Sequence, residues 1–349
     1  VLKKLNKQIR LTHGNFVDFK SSLETNQKNP SAQKNLLSYN IYDKRDNLHS
    51  IGGSYSKYYK LDFTDRIYDD NYDNYLMGLE YKFTTAQKEN KPQYWSRARL
   101  ELDKASNGYG QFGLGFTSSK ERRYRSAEAN IFPVETAGGV NQKIYQVQLN
   151  GYQDFFIFKN INTSISIEAN YYTQGMVARD TIGPIIDPTR HTNQMERKTY
   201  TPLPDGSFRV DDFDDAYDGA LTLRFMYDKG ETKRSKFIPF VESQISHGSR
   251  DLTLGYPYWI IRNRLYGGGG LGWEFKGDDL TARIEGGYFF DDFSDHFERV
   301  TAAMTYQLFD FTAITASIEV FEQSKFYSNT LQFGIKHNFK PKAKKRKIK

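Results

Sequence analysis

Cysteine is absent from the 349 residues, so no disulfide framework, thiolate metal site or thiol nucleophile can be built. Long hydrophobic runs are absent too. No stretch approaches the ~18 apolar residues of a membrane-spanning helix, which excludes a helical membrane protein. Tryptophan is scarce, with 3 residues, yet 25 Tyr and 26 Phe raise the aromatic content to 15% in a chain of mean hydropathy -0.72. Few water-soluble domains combine so many rings with so little aliphatic bulk. A distributed excess of one charge is also missing. The net charge is +7, but seven cations stand in the last ten residues, KPKAKKRKIK, and the remainder is near neutral. No nucleic-acid partner is indicated. The chain starts at Val1 without Met, as a removed signal peptide or an upstream truncation would both produce.

What the sequence does contain is alternation. In VTAAMTYQLFDFTAITASIEV, residues Val300, Ala302, Met304, Tyr306 and Leu308 share one face, with Thr301, Ala303, Thr305 and Gln307 opposite. Period two means a strand. After Phe309, Asp310 and Phe311 the pattern resumes with Ile314, Ala316, Ile318 and Val320, which makes a hairpin. Comparable segments about ten residues long cover 37–42, 51–61, 75–83, 94–102, 109–116, 144–152, 164–172, 219–228, 237–246, 265–275, 280–289 and 331–339. With the opening pair they predict about 14 strands, the signature of an antiparallel transmembrane β-barrel. A soluble β-sandwich alternates as well, but its buried face should be rich in Val, Ile and Leu. Here the more apolar face carries many Tyr and Gly instead.

Connection lengths give a second criterion, because such barrels have short periplasmic turns and longer external loops, with both chain ends inside. If the last strand descends to the periplasm, the periplasmic set is 309–311, 276–279, 229–236, 158–163, 103–108 and a longer 62–74. The three longest connections, 175–218, 118–142 and 247–264, then fall together outside. Pro92, Pro133, Pro184, Pro188, Pro202, Pro204 and Pro257 join that external set, and Pro239 alone sits within a strand.

The closing segment TLQFGIKHNF alternates Leu331, Phe333, Ile335 and His337 and ends in Phe339. With the strand pattern over residues 35–339, it resembles Gram-negative outer-membrane β-barrels of porin or translocator-like architecture. The resemblance implies location in the cell outer membrane, contact with outer-membrane lipid, and recognition of the final aromatic strand by the barrel-insertion machinery. Here ten basic-rich residues follow Phe339, whereas in the familiar pattern the aromatic residue is the C-terminus.

On the barrel reading, the polar strand faces line the lumen. The acidic candidates there are Glu80, Glu101, Glu168, Glu242, Glu274, Glu285 and Glu319; the basic ones are Lys82, Arg97, Arg99, Arg224, Arg283 and Lys336. A strongly ion-selective pore would show rings of one sign. These signs nearly cancel, so the path is weakly selective, or the groups pair across the interior and satisfy one another, as buried charges require.

Catalytic and metal-binding patterns are weak. DDFSDH supplies Asp291, Asp292, Asp295 and His296, but within one loop, whereas water activation needs groups converging on a point. DDFDDAYDG, with Asp211, Asp212, Asp214, Asp215 and Asp218, lacks the spacing and the Glu of an EF-hand loop and reads as an acidic strand entrance. The six histidines form no spaced metal pair. The glycine run 267–270 lies inside a strand pattern and predicts a close backbone approach or a bend. No metal, cofactor or enzymatic activity is expected. The expected organisation is an N-terminal periplasmic segment over 1–32, with Leu2, Leu5 and Ile9 at helical spacing, a barrel over 33–339 and a basic periplasmic tail over 340–349. The expected function is a path for solutes or a polymer. The alternatives are a non-conducting barrel that scaffolds other envelope subunits, and a hydrolase at the rim.

Overall fold

A computed structural model describes residues 15–26, 31–59, 75–87, 91–103, 108–120, 123–136, 139–173, 175–177, 200–202, 208–213, 216–228, 234–249, 263–292, 295–323 and 326–339. The strands are β1 (Phe16–Asn26), β2 (Ser31–Tyr42), β3 (Leu48–Tyr59), β4 (Tyr75–Thr84), β5 (Gln93–Asp103), β6 (Gly108–Lys120), β7 (Arg123–Thr136), β8 (Gly139–Phe158) and β9 (Ile161–Tyr172). After β10 (Gly175–Val177), β11 (Tyr200–Pro202) and β12 (Phe208–Phe213) come β13 (Ala216–Tyr227), β14 (Ser235–Gly248), β15 (Arg264–Lys276), β16 (Leu280–Asp291), β17 (Asp295–Phe309), β18 (Thr312–Gln323) and β19 (Phe326–Asn338). The strands β1–β9 and β13–β19 close into one antiparallel barrel, and β10, β12 and β11 form a separate small sheet.

The ring is sealed where β1 pairs with β19, from Phe16 opposite Asn338 to Asn26 opposite Ser328. Leu23 meets Leu331 and Phe19 meets Ile335 across this seam, so the apolar outer face runs through it without a break. Closure leaves no unpaired barrel edge, the condition for β-structure to cross a membrane. Outward side chains form a belt in which Ile51, Leu79, Leu100, Val241 and Ile245 are all more than half exposed, Leu79 reaching 73%. Rings flank it toward the strand ends, with Tyr94, Phe158, Phe237 and Phe309 at one end and Tyr55, Tyr171, Tyr217 and Phe290 at the other. An apolar band between two aromatic girdles is the exterior that lipid demands.

The structure has 16 barrel strands where about 14 were expected. The additional two are β1, which lies in the stretch assigned to the leader, and β7, which lies in the expected loop 118–142. Both have weak outer faces. That of β7 holds Arg125, Ala127, Ala129, Ile131 and Pro133, and Ser21 interrupts the apolar positions of β1. Recovering β7 changes the sidedness of everything before it. Connections 60–74 and 104–107 move to the end that carries 173–215 and 249–263, and the connection containing Pro92 moves to the opposite end. The one long member of the expected periplasmic set thereby joins the long loops. Pro133 lies in β7 beside a register shift, where a missing donor is tolerated, and Pro202 lies in β11. The expected leader helix, the basic tail, Pro184, Pro188, Pro204 and Pro257 lie outside the described residues.

Candidate functional site: the barrel interior

Which side chains face inward follows from contacts that skip strands. Neighbouring strands lie ~4.8 Å apart, so side chains two or three strands away can meet only on the concave face. Ser54 of β3 donates to Glu101 of β5 at 3.2 Å, and Arg97 of β5 donates to Asn130 of β7 at 3.3 Å. Arg224 of β13 lies 2.6 Å from Glu285 of β16, and Arg299 of β17 lies 2.9 Å from Glu242 of β14. The inner face is therefore the polar one.

Two charged networks dominate it. In the first, the Arg99 guanidinium donates twice to Glu80 Oε2, at 2.6 and 2.9 Å, and once to Glu101 Oε1 at 3.4 Å. Glu101, only 2% exposed, also accepts from Gln111 Nε2 at 2.6 Å. In the second, Glu242 accepts from Arg299 at 2.9 and 3.0 Å, from the Tyr266 hydroxyl at 2.8 Å and from Arg224 at 3.4 Å. Glu285 holds Arg224 and, at 2.8 Å, Arg283. Charge-assisted bonds of this kind fix side-chain positions, and removing one partner leaves an uncompensated charge.

The other expected residues fall as follows. Glu274 is shared by Lys276 at 2.7 Å and Lys236 at 3.7 Å, and Lys236 also reaches both oxygens of Asp228 at 2.9 Å. Among the described residues, Glu168 accepts from two amides, Gln148 at 3.2 Å and Asn170 at 2.9 Å. Glu319 stands opposite Thr301 and Thr330 and lines a cavity. Lys336 lies over the Phe16 ring at 4.1 Å and Lys82 over Trp95 at 5.0 Å. Sequence reasoning missed Arg299 because β17 begins at Asp295 rather than at Val300; Arg299 is in phase with Thr301, and that phase could have found it. Lys236 was lost to an expected turn, and Glu128 went with β7.

An aromatic pad on the inner wall was not expected. Phe240, Tyr266, Phe289 and Phe297 cluster there with ring centroids 4.8 Å apart for Phe289 and Phe297 and 5.1 Å for Tyr266 and Phe297. The glycine run makes room for it. A Cβ on Gly270 would collide with the Gly286 carbonyl and come within 2.6 Å of the Phe240 ring, so this is a close approach as the sequence predicted. Arg224 covers Phe240 at 3.8 Å, Arg264 covers Phe297 at 4.6 Å and Arg299 covers Phe289 at 5.0 Å. Each cation thus has a ring beneath it and a carboxylate beside it.

The acidic motifs diverge. Asp291 points inward to Arg264, Asp292 accepts from the Leu265 amide at 3.0 Å, and His296 stacks on Tyr288 with centroids 5.3 Å apart. Asp218 is buried with Asn170 at 2.7 Å and Tyr172 at 3.2 Å; Asp214 and Asp215 lie outside the described residues. Among the described residues, no group of three His, Asp or Glu could hold a metal ion.

Open space remains along β7–β9 and β13–β18. One cavity of about 470 Å³ and a second of about 490 Å³ share Tyr152, Ser166, Thr222 and Gln244 as lining residues. The shared wall is hydroxyl and amide, while the second cavity also touches Arg224, Arg299, Glu242 and Glu285.

No protein-family model matches this chain, and no curated protein sequence does. Solved structures do. One described as "Bacterial polysaccharide outer membrane secretin" superposes with a TM-score of 0.61 at 6% identity, over 94% of this chain and 99% of that one. OprB of Pseudomonas putida gives 0.41 at 7% identity over 97% and 96%, and OccAB3 of Acinetobacter baumannii gives 0.41 at 8% over 93% and 98%. The match at 0.61, together with the closed ring and its lipid-facing belt, gives this chain the fold of a Gram-negative outer-membrane β-barrel.

Proposed function

We propose that the protein provides a path across the outer membrane for polar solutes or a polymer. The observation that carries this reading is the polar, cavity-bearing interior inside a closed ring of 16 strands, a size at which barrels leave an aqueous channel. Weak ion selectivity fits the same interior, since the charged networks pair internally and present no ring of one sign. The fold shared with a polysaccharide secretin makes a polysaccharide the first polymer to test. The outer belt supports lipid as a partner, and β19 supports handling by the barrel-insertion machinery. The reading assigns no catalytic step, because Asp291, Asp292 and His296 point in different directions.

Planar-bilayer recording tests it. The purified barrel is expected to conduct in stable steps with little preference between potassium and chloride, and oligosaccharides are expected to lower that conductance reversibly. A barrel that inserts but carries no current at any voltage supports the scaffolding alternative instead.

A further inference from the structure

We propose that Lys82 and Arg97 form an oxyanion-binding site on the inner wall, suited to the phosphate or sulfate group of a solute. The register brings these two inward-facing cations together. Glu80 faces Arg99, Arg224 faces Glu242, Lys236 faces Glu274 and Glu274 faces Arg283, all of opposite sign, whereas Lys82 faces Arg97 directly across β4 and β5. Like charges placed directly opposite destabilise a sheet. Their outer register neighbours, Ser50 on β3 and Gly113 on β6, bring no compensating charge.

Neither cation forms an ion pair with a carboxylate among the described residues. Arg97 spends one bond on Asn130, from Nη2 at 3.3 Å, and its Nε is buried with no hydrogen-bond partner. Two carboxylates lie within electrostatic reach of Lys82: Glu80 is bonded to Arg99, and Glu128, which keeps its charge while accepting from the Asn150 amide at 2.9 Å, makes no ion pair with either cation. The floor is Trp95, with Lys82 Nζ 5.0 Å from its ring centroid. That ring can lie against the wall because Gly115 has no side chain; a Cβ there would come within 2.8 Å of the indole. A planar guanidinium fork and a point-charge ammonium, held side by side above an aromatic floor, match a tetrahedral oxyanion, which accepts from both and cancels their repulsion.

Trp95 makes the site readable without any flow through the barrel. Phenylalanine at Trp259 and Trp273 leaves Trp95 as the sole indole, and the refolded chain in detergent is titrated with inorganic phosphate at constant ionic strength set by chloride. The expected result is a saturable change in emission, with sulfate competing. Lys82→Gln or Arg97→Gln should weaken it about tenfold or more, the loss of one charge-assisted hydrogen bond, while Lys82→Arg retains it. Heat-modifiable gel mobility confirms that each variant has folded, and the titration of the unsubstituted cations decides the matter should a Gln variant fail to fold. A response that chloride reproduces, that never saturates, or that survives both Gln substitutions overturns the proposal. Phosphate binding by a barrel that carries no current would sink only the path reading; current without a phosphate response would sink only this site.

Discussion

Leu221 and Thr222 are adjacent in β13 and meet different solvents. Leu221 is 44% exposed on the outer belt, whereas Thr222 accepts from Gln244 at 2.8 Å and lines both cavities. An arginine at 221 must place its charge in hydrocarbon near mid-strand, at a cost of about 2–4 kcal/mol; at 222 it can extend into the lumen, with a milder effect. Unfolding titrations in lipid vesicles should separate the two variants by that margin, and equal losses would mean that the two faces have been misassigned. This alternation was legible residue by residue, because one period-two pattern fixes both faces of a strand. Which charge meets which was not legible. Arg299 reaches Glu242 over two intervening strands, and that pairing depends on curvature and register that no single segment encodes.

Individual elements differ in how plainly their sequence declares them. β19 and the β17–β18 hairpin carry large outward side chains at nearly every second position, and they form in the phase that was read, although β17 starts earlier, at Asp295, and β19 at Phe326. β7 sets alanines and a proline on its outer face, so its pairing with β6 and β8 supplies what its own hydrophobicity does not. The β2–β3 connection is specified by polar chemistry instead. Asp43 Oδ1 accepts from the amides of Arg45 at 2.7 Å and Asn47 at 2.9 Å, its Oδ2 accepts from Asn47 Nδ2 at 2.9 Å, and Asp46 takes a left-handed φ of 63°. The Asn47 side chain, opposed by loss of hydration and helped by those amides and by His49, holds the Asp43 carboxyl down at about 2, from an ordinary 3.8. Because the folded value is depressed, the contribution of this carboxylate to the turn is fully present above the unfolded value and is lost as pH falls from there through about 2. Carboxyl-carbon NMR of the barrel in micelles should find Asp43 titrating well below the ordinary aspartate value of 3.8, and Asn47→Ala should return it toward that value. A normal midpoint in the parent protein would show that the carboxylate does not organise the turn.

For the whole molecule, sidedness rests on parity, and parity is unforgiving. Omitting β7 left the barrel class and most strands correct but reversed the end assigned to the connections before it, since each missed strand inverts every earlier step. With 16 strands, residues 60–74, 173–215 and 249–263 share one end, and Asn15 and Phe339 share the other with turns such as 310–311 and 277–279. Barrels of this kind place long connections outside and short turns in the periplasm. Both ends offer tryptic sites, Arg179, Arg190, Arg197 and Lys198 in the longest connection, and Lys229, Lys233 and Arg234 in the β13–β14 turn. Trypsin added to intact cells should therefore cut within 173–215 while leaving the β13–β14 turn whole, because long exposed loops are cleaved before short turns and only one end is reachable. Mass mapping of the fragments identifies the site. Cleavage at Lys233 or Arg234 on intact cells, with 173–215 protected until the outer membrane is broken, would invert the orientation and with it the direction in which any cargo meets the Lys82–Arg97 wall.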